Sequence, residues 1–588
     1  MPLMGSLYVG TSGLQTSQNA LNTTAHNLSN MDTTGFVRQQ VLQGDRFYNT
    51  IKAGSTGTAA QQVGLGVTYA SVRQVRDFFL DQSFRRESGR SAFYDTSYNS
   101  INEVEDLLNE LNDDASFNQS LTDFWSSLQE LAKTPDDTSV QRMVIQDAQT
   151  FLTNATQVYQ GLIDYQNELN THIREKVERI NELGQTIRDM NDKIRGVEVG
   201  GIENANDFRD VRNSALDELA GLGNISYSED LFGSVSVKFE GADFVCSDVV
   251  FKMDLDLDTQ TGFYTPFWPY LSKVTADADG DNKYDISNAK VYNLTQTISS
   301  ELNTDVGELR AMLYARGDKV ANYTDIPKKP ATPVEADYAT PAEYADAVTR
   351  YNEDMDIYEK KVVKYNQTIS QSICMNIMSE FDQLIHNIAT TVNGVLYDAY
   401  VASNGTVMAD PDYGNIPLEI FQRISCEAFS IDPVTGLYVS NAEDSNLSET
   451  LFSIPNLQIN PSLLREAGKL KFVSPDDTVD YDTAKALIDA FDENTLSLNP
   501  NVTTLCSINT YYSNLVSQVA NSGAVYKNIS LNQQATVDSI KYSREQVIGV
   551  SSDEELTSMV KYQNAFNASS RYINVVDEML EHIINSLG

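Results

Sequence analysis

Cysteine and histidine are scarce in this 588-residue chain, and their spacing excludes the common metal and redox motifs. The four cysteines are Cys246, Cys374, Cys426 and Cys506, and the nearest two stand at positions 374 and 426. No pair has the spacing of a zinc site or a redox motif, so free thiols are expected. The sequence also lacks a zinc-protease helix motif, a glycine-rich phosphate loop and a nucleophile elbow. It therefore predicts neither an enzyme nor a bound cofactor.

Positive charge and long apolar runs are also in short supply. Lysine and arginine total 42 against 82 aspartates and glutamates, which gives a net charge of -40. Nucleic acids and anionic membranes both require a basic surface, so neither is an expected partner. No stretch is apolar enough for a bilayer span. Residues 1–37 contain no lysine or arginine, so no cleaved secretory signal is predicted.

The chain does have heptad patterns at both ends. Near the start leucines recur every seven residues, with Thr11, Gln18 and Ala25 between them, and near the end the spacing alternates between three and four. Such seams need a partner helix, either the other end of the chain or a neighbouring subunit. The predicted assembly interface consists of Leu7, Leu14, Leu21, Leu28, Met559, Tyr562, Phe566, Ile573, Val576, Leu580, Ile583 and Leu587.

The first heptad segment is weak as an isolated helix. It is rich in serine, threonine, asparagine and glutamine, and Gly5, Gly10 and Gly13 reduce its helix propensity further. We therefore expect residues 1 to about 40 to be disordered in the monomer and to fold on assembly.

Helical periodicity alternates with strand-like segments along the rest of the chain. This predicts a mainly α, multidomain fold with inserted β domains, in which the terminal helices form a coiled coil beside a helical bundle. The predicted units are a terminal coiled-coil domain (1–50 plus 545–588), a helical second domain (51–224 plus 298–318, 366–399 and 476–544), a β-rich domain (225–297), a Pro-rich linker with a heptad helix (319–365), and a β-like insertion (400–475).

Two segments in the middle of the chain also have helical periodicity. The period predicts a helix over Ile298–Tyr314. Beyond the proline-rich stretch, a second heptad begins at Tyr344 and continues to Val392. This pattern is typical either of a long hairpin or protruding helical arm, or of a plain core helix.

One acidic stretch has the spacing of a calcium loop. Asp277, Asp279, Asp281 and Asp285 occupy loop positions 1, 3, 5 and 9, which is how short acids surround a hard cation. Asn282 stands where such loops have glycine, and Asn288 stands where they have glutamate. An acidic turn without metal is therefore the favoured interpretation, and calorimetric titration with calcium tests it.

Several motifs together resemble a known family. They include Ser12-Gly13-Leu14-Gln15-Thr16-Ser17-Gln18-Asn19-Ala20-Leu21-Asn22, Ala25-His26-Asn27-Leu28-Ser29-Asn30 and Thr34-Gly35-Phe36 near the start. Near the end they include Asp553-Glu554-Glu555-Leu556 and Tyr562-Gln563-Asn564-Ala565-Phe566-Asn567-Ala568-Ser569. The chain resembles the bacterial flagellar rod, hook and hook-associated axial proteins. Arg38-Gln39-Gln40 is most similar to the hook-associated members.

The resemblance implies a non-enzymatic structural protein of the extracellular flagellum, exported through the flagellar type III channel. It implies a ring of copies that joins the hook to the filament, with terminal helices innermost and β regions outermost. The implied partners are the hook protein, the second hook–filament junction protein, other copies of this chain, and a cytoplasmic export chaperone at the C-terminal helix. The alternatives are another axial role, as a hook or rod subunit, or a secreted calcium-dependent adhesin on a flagellar scaffold.

Overall fold

The computed structural model describes residues 2–587, apart from positions 47, 54–59, 109–115, 202, 277–281, 411, 413–414, 475 and 477. Long helices dominate the described residues, which confirms the predicted mainly α class with inserted β regions. The helices are α1 Pro2–Ser29, α2 Phe78–Leu108, α3 Phe117–Leu131, α4 Thr138–Glu198, α5 Asn206–Leu222, α6 Glu308–Arg316, α7 Pro341–Thr368, α8 Ile373–Ala402, α9 Pro461–Arg465, α10 Tyr481–Asp492, α11 Ile508–Ile548 and α12 Ser552–Leu587.

The strands are short and form several small antiparallel sheets. They are β1 Gln39–Asp45, β2 Tyr48–Ala53, β3 Ala60–Gly64, β4 Val67–Gln74, β5 Ile225–Glu229, β6 Val235–Phe239, β7 Ala242–Val245, β8 Asp254–Leu257, β9 Tyr264–Phe267, β10 Lys273–Ala276, β11 Asn282–Asp285, β12 Ala409–Asp410, β13 Ile416–Pro417, β14 Phe421–Arg423, β15 Phe429–Ile431, β16 Tyr438–Ser440 and β17 Leu457–Ile459. The pairs are β1–β4, β2–β3, β8–β9, β10–β11, β12–β13, β14–β17 and β15–β16, with β5–β6–β7 as a three-stranded sheet.

A long antiparallel helix pair, α2 with α11, connects the two halves of the chain. At one end Tyr512 Oη donates to the carbonyl of Leu108 at 2.7 Å. At the other end Arg544 Nε lies 2.7 Å from an oxygen of Asp81. Contacts this far apart on the same two helices fix their direction and register.

The central helix α4 has 61 residues, so it is roughly 90 Å long. The side chain of Asp137 caps its start by accepting a hydrogen bond from Ser139 N. Beside it, aromatic rings fill the space between α3, α8 and α11. The ring of Phe117 lies 5.4 Å from Phe151, 5.0 Å from Phe381 and 4.7 Å from Tyr512. All four are buried, and each such side chain contributes about 1.5–3 kcal/mol.

The expected helix over Ile298–Tyr314 is wrong in its first half, because α6 begins only at Glu308. Gly307 precedes it with a φ of 96°, a conformation that favours glycine. A Cβ on Gly307 would lie 2.5 Å from the Cα of Gly223, so the chain approaches α5 too closely for any other residue. Residues 298–306 instead form turns, in which Thr304 Oγ1 donates to the carbonyl of Thr297.

The second heptad is also not one continuous helix. It ends at Thr368 and resumes at Ile373, where the Ser372 side chain caps α8 by accepting from Met375 N. The two halves differ in environment. Most of α7 is exposed on several sides, whereas α8 is largely buried. The exposed α7 fits the description of a protruding helical arm, and the buried α8 fits that of a plain core helix.

Residues 326–368, here called the arm, combine the proline-rich segment with α7. Pro327, Pro330 and Pro333 are half-buried, and residues 328–329 and 331–332 between them are exposed. A period of three is that of a polyproline II helix, which rises about 3.1 Å per residue. The prolines therefore form one face of an extended segment.

The tyrosines of α7 form the matching face of the arm. Tyr344, Tyr351 and Tyr358 are half-buried at heptad spacing, and Tyr365 is buried. Seven helical residues rise about 10 Å, close to the rise of one three-residue polyproline turn. At the point where the chain turns back, the rings of Tyr338 and Tyr344 lie 5.9 Å apart. The two periods indicate that the prolines pack along the tyrosine face.

None of the helices in the described ranges has both the length and the apolarity needed to cross a bilayer.

Candidate assembly interface

The two ends of the chain meet as an antiparallel pair of helices, α1 and α12, here called the terminal pair. Three contacts define the register. A Cβ on Gly10 would lie 2.6 Å from Cγ1 of Ile573, and one on Gly13 would lie 2.8 Å from Oγ of Ser569. Further along, Asn27 Nδ2 donates to Glu555 Oε2 at 3.2 Å. The numbers of each contacting pair sum to nearly the same value, as antiparallel pairing requires.

The face of α1 that meets α12 carries small and polar residues rather than leucines. Its buried or half-buried positions follow heptad spacing through Gly10, Gly13, Ser17, Ala20, Thr24 and Asn27. Small side chains let the two helix backbones approach closely, so α12 provides the larger side chains of the contact. The heptad leucines do not reveal this stripe because it contains no large apolar residue, although the glycines at positions 10 and 13 are a usable signal in the sequence.

The predicted leucines lie beside that face. All four are half-buried, namely Leu7, Leu14, Leu21 and Leu28. They lie to one side of the small-residue stripe, and it is that stripe which contacts α12. The opposite flank faces the β1–β4 hairpin, where Ser12 Oγ accepts from Val67 N at 3.3 Å. The leucine stripe is therefore left on the open side of α1, covered only in part by this chain.

On α12 the predicted seam turns toward α1 over most of its length. Val576 is 3% exposed and Ile583 is 38% exposed. The side chain of Leu587, at the end of α12, lies outside the described part. The other predicted positions of α12 are half-buried, namely Met559, Tyr562, Phe566, Ile573 and Leu580.

A second set of apolar side chains on the terminal pair faces solvent, and it is not part of the interface predicted from the heptads. Its members are more than a third exposed, and they are Met4, Tyr8, Leu556, Val560, Tyr572, Val575, Met579 and Ile584. Exposed apolar side chains in such number on one helix pair are typical of a protein–protein interaction site. The spacing of positions 572, 575 and 579 in sequence is the signal that could have identified it.

A polar anchor fixes the end of the terminal pair nearest the rest of the protein. Asn27 Oδ1 accepts from Gln39 N, and its Nδ2 donates to Gln39 O, at 3.0 and 2.8 Å. Arg38 Nε donates to Glu555 Oε1 at 2.8 Å. Glu555 is 3% exposed, and removing Arg38 would leave its charge buried beside neutral donors. The anchor therefore sets the register of the two helices.

Buried ion pairs join three helices of the bundle, α2, α5 and α11, close to where the chain enters the terminal pair. Arg544, near the end of α11, contacts Asp81 of α2 and Asp217 of α5, each at 2.7 Å. Asp217 also accepts from Arg85 at 2.7 Å. Nearby, burial raises the pKa of Asp210 to about 7, despite hydrogen bonds from Val37 N and Gln74. A single network of ion pairs therefore connects α2, α5 and α11.

The acidic stretch proposed for calcium falls largely outside the described residues, because positions 277–281 are among the gaps. Of its carboxylates, Asp285 is described, and its Oδ1 accepts from both the backbone and the hydroxyl of Ser287. Within the described ranges no group of three or more His, Cys, Asp or Glu residues is placed to hold a metal ion.

Family models match three separate parts of the chain. The model of the flagellar hook-associated protein FlgK helical domain matches residues 101–325. The model of the flagella basal body rod protein matches residues 7–36, and the flagellar basal body rod FlgEFG protein C-terminal model matches residues 547–587. The two rod models cover the helices of the terminal pair.

Curated relatives are similar over nearly the whole chain. Flagellar hook-associated protein 1 of Bacillus subtilis is 24% identical, over 98% of this chain and 96% of that protein. Flagellar hook-associated protein 1 of Salmonella typhimurium is 22% identical, over 98% of each. Among solved structures, the flagellar hook junction protein FlgK from Burkholderia pseudomallei matches with a TM-score of 0.48 and 11% identity, over 79% of this chain and all of that one.

The terminal pair and the family models define the class of this protein: it is a structural, axial component of the bacterial flagellum. Within that class, the chain is similar from end to end to flagellar hook-associated protein 1 of Bacillus subtilis and of Salmonella typhimurium.

Proposed function

We propose that this chain joins the flagellar hook to the filament as a ring of copies. The observation that carries the proposal is the terminal pair, whose two helices bury one face against each other and leave apolar residues on their outer faces. A monomer gains nothing from such exposed surface, but a ring of copies buries it. The similarity to hook-associated relatives over 98% of the chain supports this position in the flagellum.

The proposed neighbours in the flagellum are the hook protein, the second hook–filament junction protein and further copies of this chain. The leucine stripe Leu7, Leu14, Leu21 and Leu28 would pack on the next copy, because it is only half covered here. The exposed residues of α12 would contact the same or an adjacent copy. We also propose that the protein has a structural and not an enzymatic role.

Export through the flagellar type III route forms part of the proposal. Before assembly, a cytoplasmic chaperone would cover α12, shielding the seam formed by Met559, Phe566, Ile573 and Leu580 from aggregation. Residues 1 to about 40 would order on assembly, since their few apolar contacts lie on α12 or on other copies. Slow hydrogen exchange throughout residues 6–30 of the free monomer would contradict that ordering step.

A role as a hook or rod subunit is the nearest alternative. The rod models at residues 7–36 and 547–587 are compatible with it. However, the flagellar hook protein of Borreliella burgdorferi is 34% identical over only 15% of this chain. The helical-domain match over residues 101–325 favours the hook-associated role.

Electron microscopy of cells that lack the gene tests the proposed function. We expect hooks without filaments, and flagellin shed into the medium as monomer. Complementation with the Ile573→Asp variant should fail, because this side chain lies against Gly10 in the terminal pair. The matched control is Val363→Asp, at a 56% exposed position of the arm, which should restore filaments. Normal filaments in the deletion strain would reject the junction role.

A further inference from the structure

A cleft of about 360 Å³ lies where the end of β4 meets α2, α5 and the β5–β6 hairpin. Five arginines line it, namely Arg73, Arg76, Arg85, Arg209 and Arg212, against two carboxylates, Asp81 and Glu229. In a chain of net charge -40, such a concentration of positive charge is unusual. Neither the terminal pair nor the proposed junction role accounts for it.

On the α2 side of the cleft, two carboxylates form ion pairs with three arginines. Asp81 contacts Arg76 at 3.1 Å and Arg544, behind the cleft, at 2.7 Å. Asp217 contacts both Arg85 and Arg544, each at 2.7 Å. This side therefore holds one more positive charge than negative charge.

On the α5 side, Arg209 contacts Glu198 at 2.7 Å and Glu229 at 2.6 Å. Arg212 shares Glu229, at 3.3 Å. Arg73, exposed at the mouth of the cleft, makes no ion pair with the residues that the structure describes. Together the two sides hold six arginines against four carboxylates, an excess of two positive charges, or of one when Asp210 is ionised.

The excess is accompanied by unused hydrogen-bond donors. Nη1 of Arg76 and Nε of Arg212 are buried without a hydrogen-bond partner in the described part of the chain. Burial also lowers the pKa of Arg76, as do the nearby charges of Arg544 and Arg85. Burial lowers the pKa of Arg212 to about 10. Crowded, partly desolvated guanidinium groups gain most from an added anion.

We propose that this cleft binds a small tetrahedral oxyanion of the phosphate or sulfate type. The guanidinium fork donates paired hydrogen bonds to such oxygens, and an anion of charge two balances the local excess. Because the arginines come from β4, α2 and α5, the bound anion braces the region where the hairpin behind the terminal pair meets the bundle.

Isothermal titration of the full-length monomer with inorganic phosphate, at constant ionic strength in chloride, tests the proposal. We expect saturable binding of one phosphate in the millimolar range or tighter, together with a higher melting temperature in phosphate than in chloride. Arg73→Gln should weaken binding about tenfold, through loss of one charge-assisted contact. Since Arg73 is exposed and makes no ion pair in the described residues, this variant should fold normally.

The matched control is Arg142→Gln, at an exposed arginine of α4 away from the cleft. It should bind phosphate as tightly as the unchanged chain does. The proposal is overturned if the unchanged chain shows no saturable heat and no thermal shift, or if Arg142→Gln weakens binding as much as Arg73→Gln does.

Discussion

At the scale of single residues, two glycines determine how closely the terminal helices approach each other. Glycine costs a helix about 1 kcal/mol relative to alanine. Gly10 and Gly13 are nevertheless placed where a Cβ would meet Ile573 or Ser569 at less than 3 Å. The loss in helix propensity is offset by the close contact that it permits.

Gly10→Ala should therefore weaken the terminal pair, although alanine is the better helix former. Displacing Ile573 costs about 1–3 kcal/mol, against about 1 kcal/mol gained in propensity. In the assembled protein, hydrogen exchange over residues 2–29 should become faster. The control is Gly5→Ala, whose Cβ would meet nothing within 4 Å and which should slow exchange slightly. Equal effects of the two variants would show that the contact with Ile573 is unimportant.

Glu380 gives a second residue-scale expectation, concerning pH. It is fully buried and accepts hydrogen bonds from the neutral amides of Asn376, Asn499 and Gln518, and among the described residues none of its hydrogen-bond partners is a cation. Burial raises the pKa of its carboxyl to about 7, from an ordinary value of 4.5. Because the folded state holds the proton more tightly, the stabilisation is complete below pH 4.5 and is lost as the pH rises through 7.

Glu380→Gln should remove this pH dependence. A shift of this size corresponds to roughly 3 kcal/mol between the two limits. The difference in unfolding free energy between the variant and the unchanged chain should therefore change between pH 4.5 and 8, in favour of the variant at high pH. Glu359→Gln, on the exposed side of α7, is the control and should give a flat difference. Denaturant unfolding across this pH range measures both.

At the scale of elements, the arm combines two repeats of different period. Its prolines recur every three residues and its tyrosines every seven, and both stripes are covered while the residues between the prolines are exposed. The start of α7 is further fixed by a capping box between Thr340 and Glu343. The arm therefore contains its own packing surface, with one layer extended and one helical.

Tyr351→Ala should loosen the arm and leave the rest of the molecule intact. The substitution removes a half-buried ring, a loss of about 1–3 kcal/mol that is confined to one face of α7. Hydrogen exchange over residues 341–365 should become faster, while that of α8 should not change. Ile357→Ala, 50% exposed on α7, is the control and should leave exchange unaltered. Faster exchange in α8 as well would mean that the two helices unfold together.

Element by element, the sequence predicts that long helices exist better than it predicts which of their faces make contacts and where they begin or end. On α12 the partner-facing side is apolar, so its period reveals that face. On α1 the corresponding face is formed by Gly10, Gly13 and Ser17, and the leucine period indicates the flank instead. The break between Thr368 and Ile373 has no proline or glycine to mark it. The late start of α6 depends on contact between Gly307 and Gly223, which are far apart in sequence.

The sequence likewise predicts only some of the residues of the candidate interface. Its apolar members on α12 could be named from heptad spacing, but Asn27, Arg38 and Glu555 could not. These three are ordinary surface types in sequence, and they become an anchor only when α1, the start of β1 and the first turn of α12 meet. The arginines of the cleft likewise come from two stretches of chain that are far apart in sequence, residues 73–85 and 209–212.

At the scale of the whole molecule, the terminal pair and the helical bundle should behave as separable units. A chain ending at Ser551 lacks α12, and we expect α1 to stay unprotected from hydrogen exchange under conditions in which the full chain assembles and protects it. The main thermal transition should change little, because the large aromatic core lies in the bundle. A chain ending at Ile583 keeps most contacts with α1 and serves as the control. Loss of the main transition in the shorter chain would show that the bundle depends on α12.

The anchor between Asn27 and Glu555 joins positions 528 residues apart. Protein synthesis makes α12 after every other helix described, so α1 stays without its partner until translation has passed residue 552. A copy that stops early can still fold its bundle, but it cannot build the surface on which copies would meet. In the proposed ring, completeness of the polypeptide would thus be a condition for incorporation, enforced by the pairing itself.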